Sequence, residues 1–123
     1  MSSNLKKTLL LIDDENDVLE SMQIILELDG KKTITASSGE IGIQMYTEHN
    51  PSLVFLDLNM PRMNGFEVFS KLIAYDKDAK VIFFTGSQID EAKLKQAKQN
   101  GLLDLVIKPL SLNELNKVID KYI

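Results

Sequence analysis

The chain has no cysteine among its 123 residues. Disulfide staples, thiolate nucleophiles and cysteine-held zinc or iron–sulfur centres are therefore excluded. An excess of positive charge is also missing: 14 Lys and Arg stand against 18 Asp and Glu, a formal net charge of −4. A protein that grips nucleic acid needs a basic footprint to displace counterions, so direct nucleic-acid binding is not expected. Long apolar runs are absent too. Stretches such as residues 9–12 and 81–84 fall far short of the roughly 20 residues that cross a bilayer. The opening Met1-Ser2-Ser3-Asn4 has neither a signal-peptide core nor the Gly needed for myristoylation. The resulting expectation is a cytoplasmic protein with no membrane partner.

What is present suits one globular domain spanning residues 1–123. Hydrophobic residues make up 44% and charged residues 26%, too apolar a balance for a disordered chain. A chain of this size buries roughly two-thirds of its unfolded surface, enough for a core without staples. Two periodicities alternate along it. Short β-rich runs occur at residues 8–12, 32–36, 53–56, 80–84 and 103–107. Helical spacing fills the gaps. Val18, Met22, Ile25 and Leu26 share one face, with Gly30 as the residue that ends the helix. A second helix opens at Ser37-Ser38-Gly39-Glu40, a capping-box spelling, and carries Ile41, Met45 and Tyr46. A third covers about 66–75 with Val68, Phe69, Leu72 and Ile73 inward. The fourth, about 90–99, has only a thin apolar face of Ile89, Ala92 and Ala97 amid lysines and glutamines. The last starts at Ser111, with Glu114 completing a capping box and Leu112, Leu115, Val118, Ile119 and Tyr122 forming its stripe. Five β-α units with short connections predict a mostly parallel, open, doubly wound α/β sheet with helices on both faces. With the fifth helix at the end of the sequence, a single domain and no second one is the expectation.

Open parallel sheets bind ligands beyond the carboxyl ends of their strands. The first strand ends in Asp13-Asp14, the third in Asp57, the fourth in Thr85 and the fifth in Lys108. Singly, most have an ordinary explanation. Asp14 could be the N-cap of the first helix, Thr85 a turn hydroxyl, and Lys108 a strand-end lysine reaching solvent. Asp57 is different, because a carboxylate set within Leu-Val-Phe-Leu-Asp-Leu is costly without a partner. Three converging carboxylates would repel one another unless a cation sits among them, and Mg²⁺ suits hard oxygen ligands. Mn²⁺ or another divalent cation would serve similarly. Such a set permits phosphoryl transfer, with Asp57 as nucleophile, Asp13 and Asp14 anchoring metal, and Lys108 and Thr85 neutralising phosphoryl oxygens.

At these residues the sequence resembles a response-regulator receiver domain of two-component signalling over essentially its whole length. The matching pieces are Leu-Ile-Asp13-Asp14-Glu15, Leu-Asp57-Leu-Asn59-Met60-Pro61-Arg62-Met63-Asn64-Gly65, Phe-Thr85-Gly86 and Lys108-Pro109. The resemblance implies a flavodoxin-like (βα)5 fold with strand order 2-1-3-4-5. It implies that Asp57 is phosphorylated by a partner, a sensor histidine kinase or a phosphotransfer protein. It implies that Asp14, Asp57 and the backbone carbonyl of Asn59 bind Mg²⁺, with Asp13 assisting through water. Lys108-Pro109 would carry a cis peptide that aims the lysine inward, and Gly65 a turn conformation disfavoured by a Cβ. Phosphorylation would switch binding of a downstream protein on the surface of the fourth helix, fifth strand and fifth helix.

Two positions depart from the family's commonest pattern. Leu105 stands where an aromatic residue usually accompanies the threonine's movement, and Gly86 where Ala is more typical. Asn59 and Ser87 occupy positions that influence how water reaches the acyl phosphate; both are small and neutral, so hydrolysis is expected. The single His49 reads as a surface residue and offers no internal phosphodonor. Three rival readings share parts of this pattern. A haloacid-dehalogenase-like phosphatase would place its nucleophile in a first-strand Asp-x-Asp, which the adjacent Asp13-Asp14 does not provide. A flavin binder would need a first loop that welcomes phosphate. A phosphorylation-independent receiver-like interaction module would not require the intact Asp, Thr and Lys set.

Overall fold

Parallel strands covered by helices on both faces bury every side chain, which is why they read as unbroken apolar runs. In the computed structural model, which describes residues 7–86, 88–108 and 110–123, three strands have this character. They are β1 (Thr8–Ile12), β3 (Leu53–Asp57) and β4 (Val81–Thr85), and all of β3 and β4 is buried. The more polar β2 (Lys32–Ala36) and β5 (Asp104–Ile107) form the edges. The sheet order is β2-β1-β3-β4-β5 with every pairing parallel, as the doubly wound reading expects. Strands β3 and β4 each reach a residue further than their apolar runs suggest, so Asp57 and Thr85 are the last residues of the ladder itself.

Alternation along each strand divides the core between two layers. Leu10, Ile12, Val54, Leu56, Val81 and Phe83 face one side, beneath α2 (Gly39–His49), α3 (Gly65–Tyr75) and α4 (Glu91–Gln99). Leu9, Leu11, Leu53, Phe55, Ile82 and Phe84 face the other, beneath α1 (Asn16–Leu28) and α5 (Leu112–Tyr122). None of the described helices is long and apolar enough to cross a membrane.

Several helix details differ from the sequence expectation, each for a local reason. Helix α1 is capped at Glu15 without any side-chain bond, so the ordinary alternative for Asp14, an N-cap, is ruled out in favour of the joint reading; Asp13 Oδ1 accepts from the Glu15 N–H at 2.9 Å. Its buried stripe is Leu19, Met22 and Leu26, with Val18 and Ile25 at the margins. Helix α2 begins one residue later than the capping-box spelling implied: Ser38 accepts from the Ile41 N–H, which leaves Glu40 out of register for the reciprocal bond. Its inward face is Gly39, Gly42 and Tyr46, while Ile41 is exposed. A Cβ on Gly42 would lie 2.5 Å from Ile12 Cδ1, so the helix lies too close to β1 for a larger residue. Helix α3 carries a full capping box between Asn64 and Glu67 that the apolar pattern did not reveal. Helix α4 is held by Leu94 and Ala97 with Ile89 preceding it, whereas Ala92 is exposed. The Ser111–Glu114 box of α5 forms as expected. Gly30 follows α1 at φ +85°, the left-handed stop expected there.

Gly65 is a correction of a different kind. Its backbone is not in the left-handed region, so no turn conformation requires glycine there. It is the first residue of α3, and a Cβ would meet the Asp57 carbonyl oxygen at 2.6 Å and Leu58 Cα at 2.8 Å. Close approach of the helix to the end of β3 is what excludes a side chain. The backbone bond from Gly65 N–H to Leu58 O, 3.0 Å long, holds that approach. Gly65→Ala is accordingly expected to lower unfolding free energy by about 1–3 kcal/mol, read from urea midpoints. A midpoint equal to wild type would show that the helix start can shift without penalty.

Candidate phosphoacceptor and metal site

The register of the ladder assembles the site. Asp57 lies beside Phe84, and Thr85 beside Ile107. One bond beyond the strands, the Asp13 N–H donates to the Ala36 carbonyl at 3.1 Å and the Lys108 N–H donates to the Thr85 carbonyl at 2.9 Å. These bonds fix the backbones of Asp13 and Lys108 at the carboxyl edge, either side of the position reached by Asp57. Asp13 and Thr85 are fully buried, Asp57 is 3% exposed, and Asp14 is exposed at the rim.

Asp13, Asp14 and Asp57 each bring a carboxylate oxygen within 4.8 Å of the other two. The Lys108 ammonium reaches into this group, 2.8 Å from Asp13 Oδ2 and 3.5 Å from Asp57 Oδ1. The lysine points inward, as the joint reading of the strand ends expects, and the ordinary alternative of a strand-end lysine reaching solvent is set aside: its side chain is only 19% exposed. Burial raises the Asp57 pKa to about 6, helped by the neighbouring charge of Asp13 and opposed by Lys108 and the Asn59 N–H. For Lys108, burial acts to lower the pKa, but its bond to Asp13 and the Asp57 and Asp13 charges outweigh it, and the net direction is upward. Both shifts express one electrostatic arrangement, a buried carboxylate pair sharing a single ammonium.

Asn59 contributes through atoms that the sequence did not single out. Its backbone N–H lies 3.4 Å from Asp57 Oδ1, and its side-chain amide donates to Thr85 Oγ1 at 3.1 Å. Thr85 is thus oriented from the β3 loop. Leu105, at the switch position, is half-buried and packs with the core on the α3 and α4 side. It lies in register with Phe83. His49 is exposed at the end of α2, as expected. The proposed cis bond at Pro109 and the solvent-controlling role of Ser87 fall outside the described residues. One feature near the lysine had no distinct signature in the apolar run: Phe84 places its ring centroid 4.7 Å from the Lys108 ammonium.

Three hard oxygen donors converging at the carboxyl edge fit a divalent cation of the Mg²⁺ kind, because a dipositive ion would offset both the burial of the Asp57 charge and its repulsion from Asp13. The response regulator receiver domain family matches residues 9–120. The chain belongs to that family, the receiver module of two-component signalling, whose members accept phosphate from kinases or phosphotransfer proteins and bind Mg²⁺. It is 25% identical over 120 residues to sporulation initiation phosphotransferase F of Bacillus subtilis, covering 97% of this chain and 95% of that protein. Its 28% identity to the regulatory protein AtoC of Escherichia coli covers 92% of this chain but 24% of AtoC, so much of AtoC has no counterpart here. Among solved structures, response regulator TrrA of Thermotoga maritima in complex with Mg²⁺-BeF superposes with a TM-score of 0.83 at 28% identity, covering 95% of this chain and 99% of TrrA.

The pKa of Asp57 has a stability consequence without divalent cations. The folded state holds its proton up to about pH 6 while the unfolded state releases it near 3.8. Stability from the protonated form is complete below the unfolded value and is lost as pH rises through the folded one. Asp57→Asn removes this loss. The variant's advantage in urea unfolding should grow between these two values, reaching on the order of 3 kcal/mol at neutral pH. Mg²⁺ should narrow the gap by stabilising the wild type selectively. An advantage independent of pH would mean that Asp57 titrates as an ordinary surface carboxylate.

Proposed function

We propose that this receiver is a phosphoacceptor whose Asp57 carboxylate takes a phosphoryl group from a phosphohistidine on a sensor kinase or phosphotransfer protein. The supporting observation is the buried Asp57 set among Asp13, Asp14 and the Lys108 ammonium at the carboxyl edge of the sheet. An Asp57 oxygen attacks phosphorus, the phosphorus–nitrogen bond to the donor imidazole breaks with its electron pair on nitrogen, and an acyl phosphate forms. Asp13, Asp14 and Asp57, with the Asn59 carbonyl, would hold Mg²⁺, which supplies positive charge against the transferring oxygens. Lys108 donates to one phosphoryl oxygen and Thr85 to another, with Asn59 keeping the threonine hydroxyl in place. As Lys108 turns toward the phosphoryl group, its bond to Asp13 weakens, which frees that carboxylate for the cation or its water.

The readout is binding of a second protein. The surface formed by α4, β5 and α5 suits this role, since α4 has few core anchors and exposes Lys93, Lys95 and Lys98, and Ile107 on the edge strand is 56% exposed. Movement of Thr85 would reach β5 through backbone pairing and through Leu105, which fills a smaller volume than an aromatic ring.

Incubation with acetyl phosphate and Mg²⁺ should add one acid-labile phosphoryl mass to the intact protein. Chelation of Mg²⁺ and Asp57→Asn should each abolish the adduct, and Thr85→Ala should slow its formation by about 10–100-fold. An equal adduct on Asp57→Asn would place the acceptor elsewhere. No adduct on the wild type would leave a phosphorylation-independent interaction module.

A further inference from the structure

Lysine is a poor choice for a fixed charge, because its ammonium rides on four rotatable bonds and readily follows water. Here it is held on three sides. Asp13 and Asp57 provide two, at 2.8 and 3.5 Å. The third is the ring of Phe84, whose centroid lies 4.7 Å from Nζ, within the range of a cation–π contact. Phe84 occurs on β4 immediately before Thr85 and pairs in register with Asp57, so the same ladder that aligns the nucleophile sets the ring beside it. Phe55 packs against it edge-on, with centroids 6.3 Å apart and planes at 86°, and this neighbour holds the ring's orientation. The ring is 1% exposed.

The three holds differ in what happens to them during phosphoryl transfer. Both carboxylates would acquire rival partners, since Asp57 would become an acyl phosphate and Asp13 would turn toward the cation. The ring has no lone pair to offer a metal and no acceptor that competes with a phosphoryl oxygen. Its attraction for the ammonium persists while the other two contacts are exchanged. Resting on the phosphoacceptor reading, we propose that Phe84 is a positioning residue whose ring keeps the Lys108 ammonium over the site while its carboxylate partners change. A Leu at position 84 would fill much of the same apolar space yet supply no quadrupole, which separates this role from core filling. The ring also walls a cleft of about 310 Å³ between Val18, Met22 and Ile25 of α1 and Leu115 of α5.

The wild-type protein provides the first test, independent of any variant and of phosphorylation. A proton on the Lys108 ε-methylene lying over the ring must be shifted upfield of ordinary lysine signals, and in Phe84→Leu the shift must vanish while Phe84→Tyr retains it. The second test is the rate of labelling by acetyl phosphate with Mg²⁺, alongside the dissociation constant for beryllofluoride. Phe84→Leu should slow labelling and weaken beryllofluoride binding by about two- to thirty-fold, and Phe84→Tyr should restore both. Ordinary Lys108 shifts in the wild type would overturn the proposal, even if Asp57 is labelled normally. So would a Phe84→Leu protein with altered thermal stability but wild-type labelling, which would reduce the ring to core packing. A wild type that shows the upfield shift but takes no phosphoryl group would instead sink the phosphoacceptor reading while leaving the contact itself established.

Discussion

Asp13 and Asp57 are held almost entirely out of water, close together, with one ammonium between them. Neither carboxylate could remain in such a position alone, since the buried charge would either take a proton or pull the strand ends apart. Lys108 provides partial compensation, and burial together with the Asp13 charge still holds the Asp57 pKa above its ordinary value. That residual imbalance is what makes the site receptive. On the phosphoacceptor reading, a divalent cation would relieve it by adding the missing positive charge, and an incoming phosphoryl group would then meet a cation, an ammonium and a hydroxyl already arranged.

The sheet is the device that enforces this arrangement. Because β3 and β4 are buried on both faces, a one-residue slip in their register would exchange the side chains fitted to one core layer for those fitted to the other. Asp57, Phe84 and Thr85 are therefore fixed relative to one another by hydrophobic packing several residues away. Helix α3 braces the same point from outside, because the glycine at its start allows the helix to meet the carbonyl of Asp57 itself. On the α4 side the constraint relaxes. Few side chains anchor that helix, and the edge strand beside it leaves Ile107 in solvent. Rigidity at Asp57 and looser docking at the outer face are the physical conditions for a chemical event at one to alter the other.

Much of the fold was legible because its signals are local. Unbroken apolar runs bounded by acids and glycines marked the strands, and Ser111 with Glu114 marked the start of α5. The misreadings lie where two local signals compete or where a neighbour decides. Ser37 and Ser38 are both plausible caps by sequence, and it is Ser38 whose side chain accepts from the Ile41 N–H. Asn64 and Glu67 do spell a capping box, a signal hidden within a stretch read for its site residues. Gly65 was identified for a conformation it does not adopt, because proximity to Asp57 across the β3–α3 turn has no sequence signature.

The sequence by itself determined which chemistry was available: adjacent acids after one strand, an acid after another, a hydroxyl and an ammonium after two more, with no cysteine or basic patch to suggest anything else. Strand-end position follows from periodicity, so these residues could be assigned to one edge before any coordinates. Only the tertiary structure decided how they meet. Lys108 bonds Asp13 more closely than Asp57, the amide of Asn59 holds Thr85, and an aromatic ring from the core supports the ammonium. Those relations depend on strand register and side-chain direction across residues far apart in the chain, and composition and spacing carry no record of either.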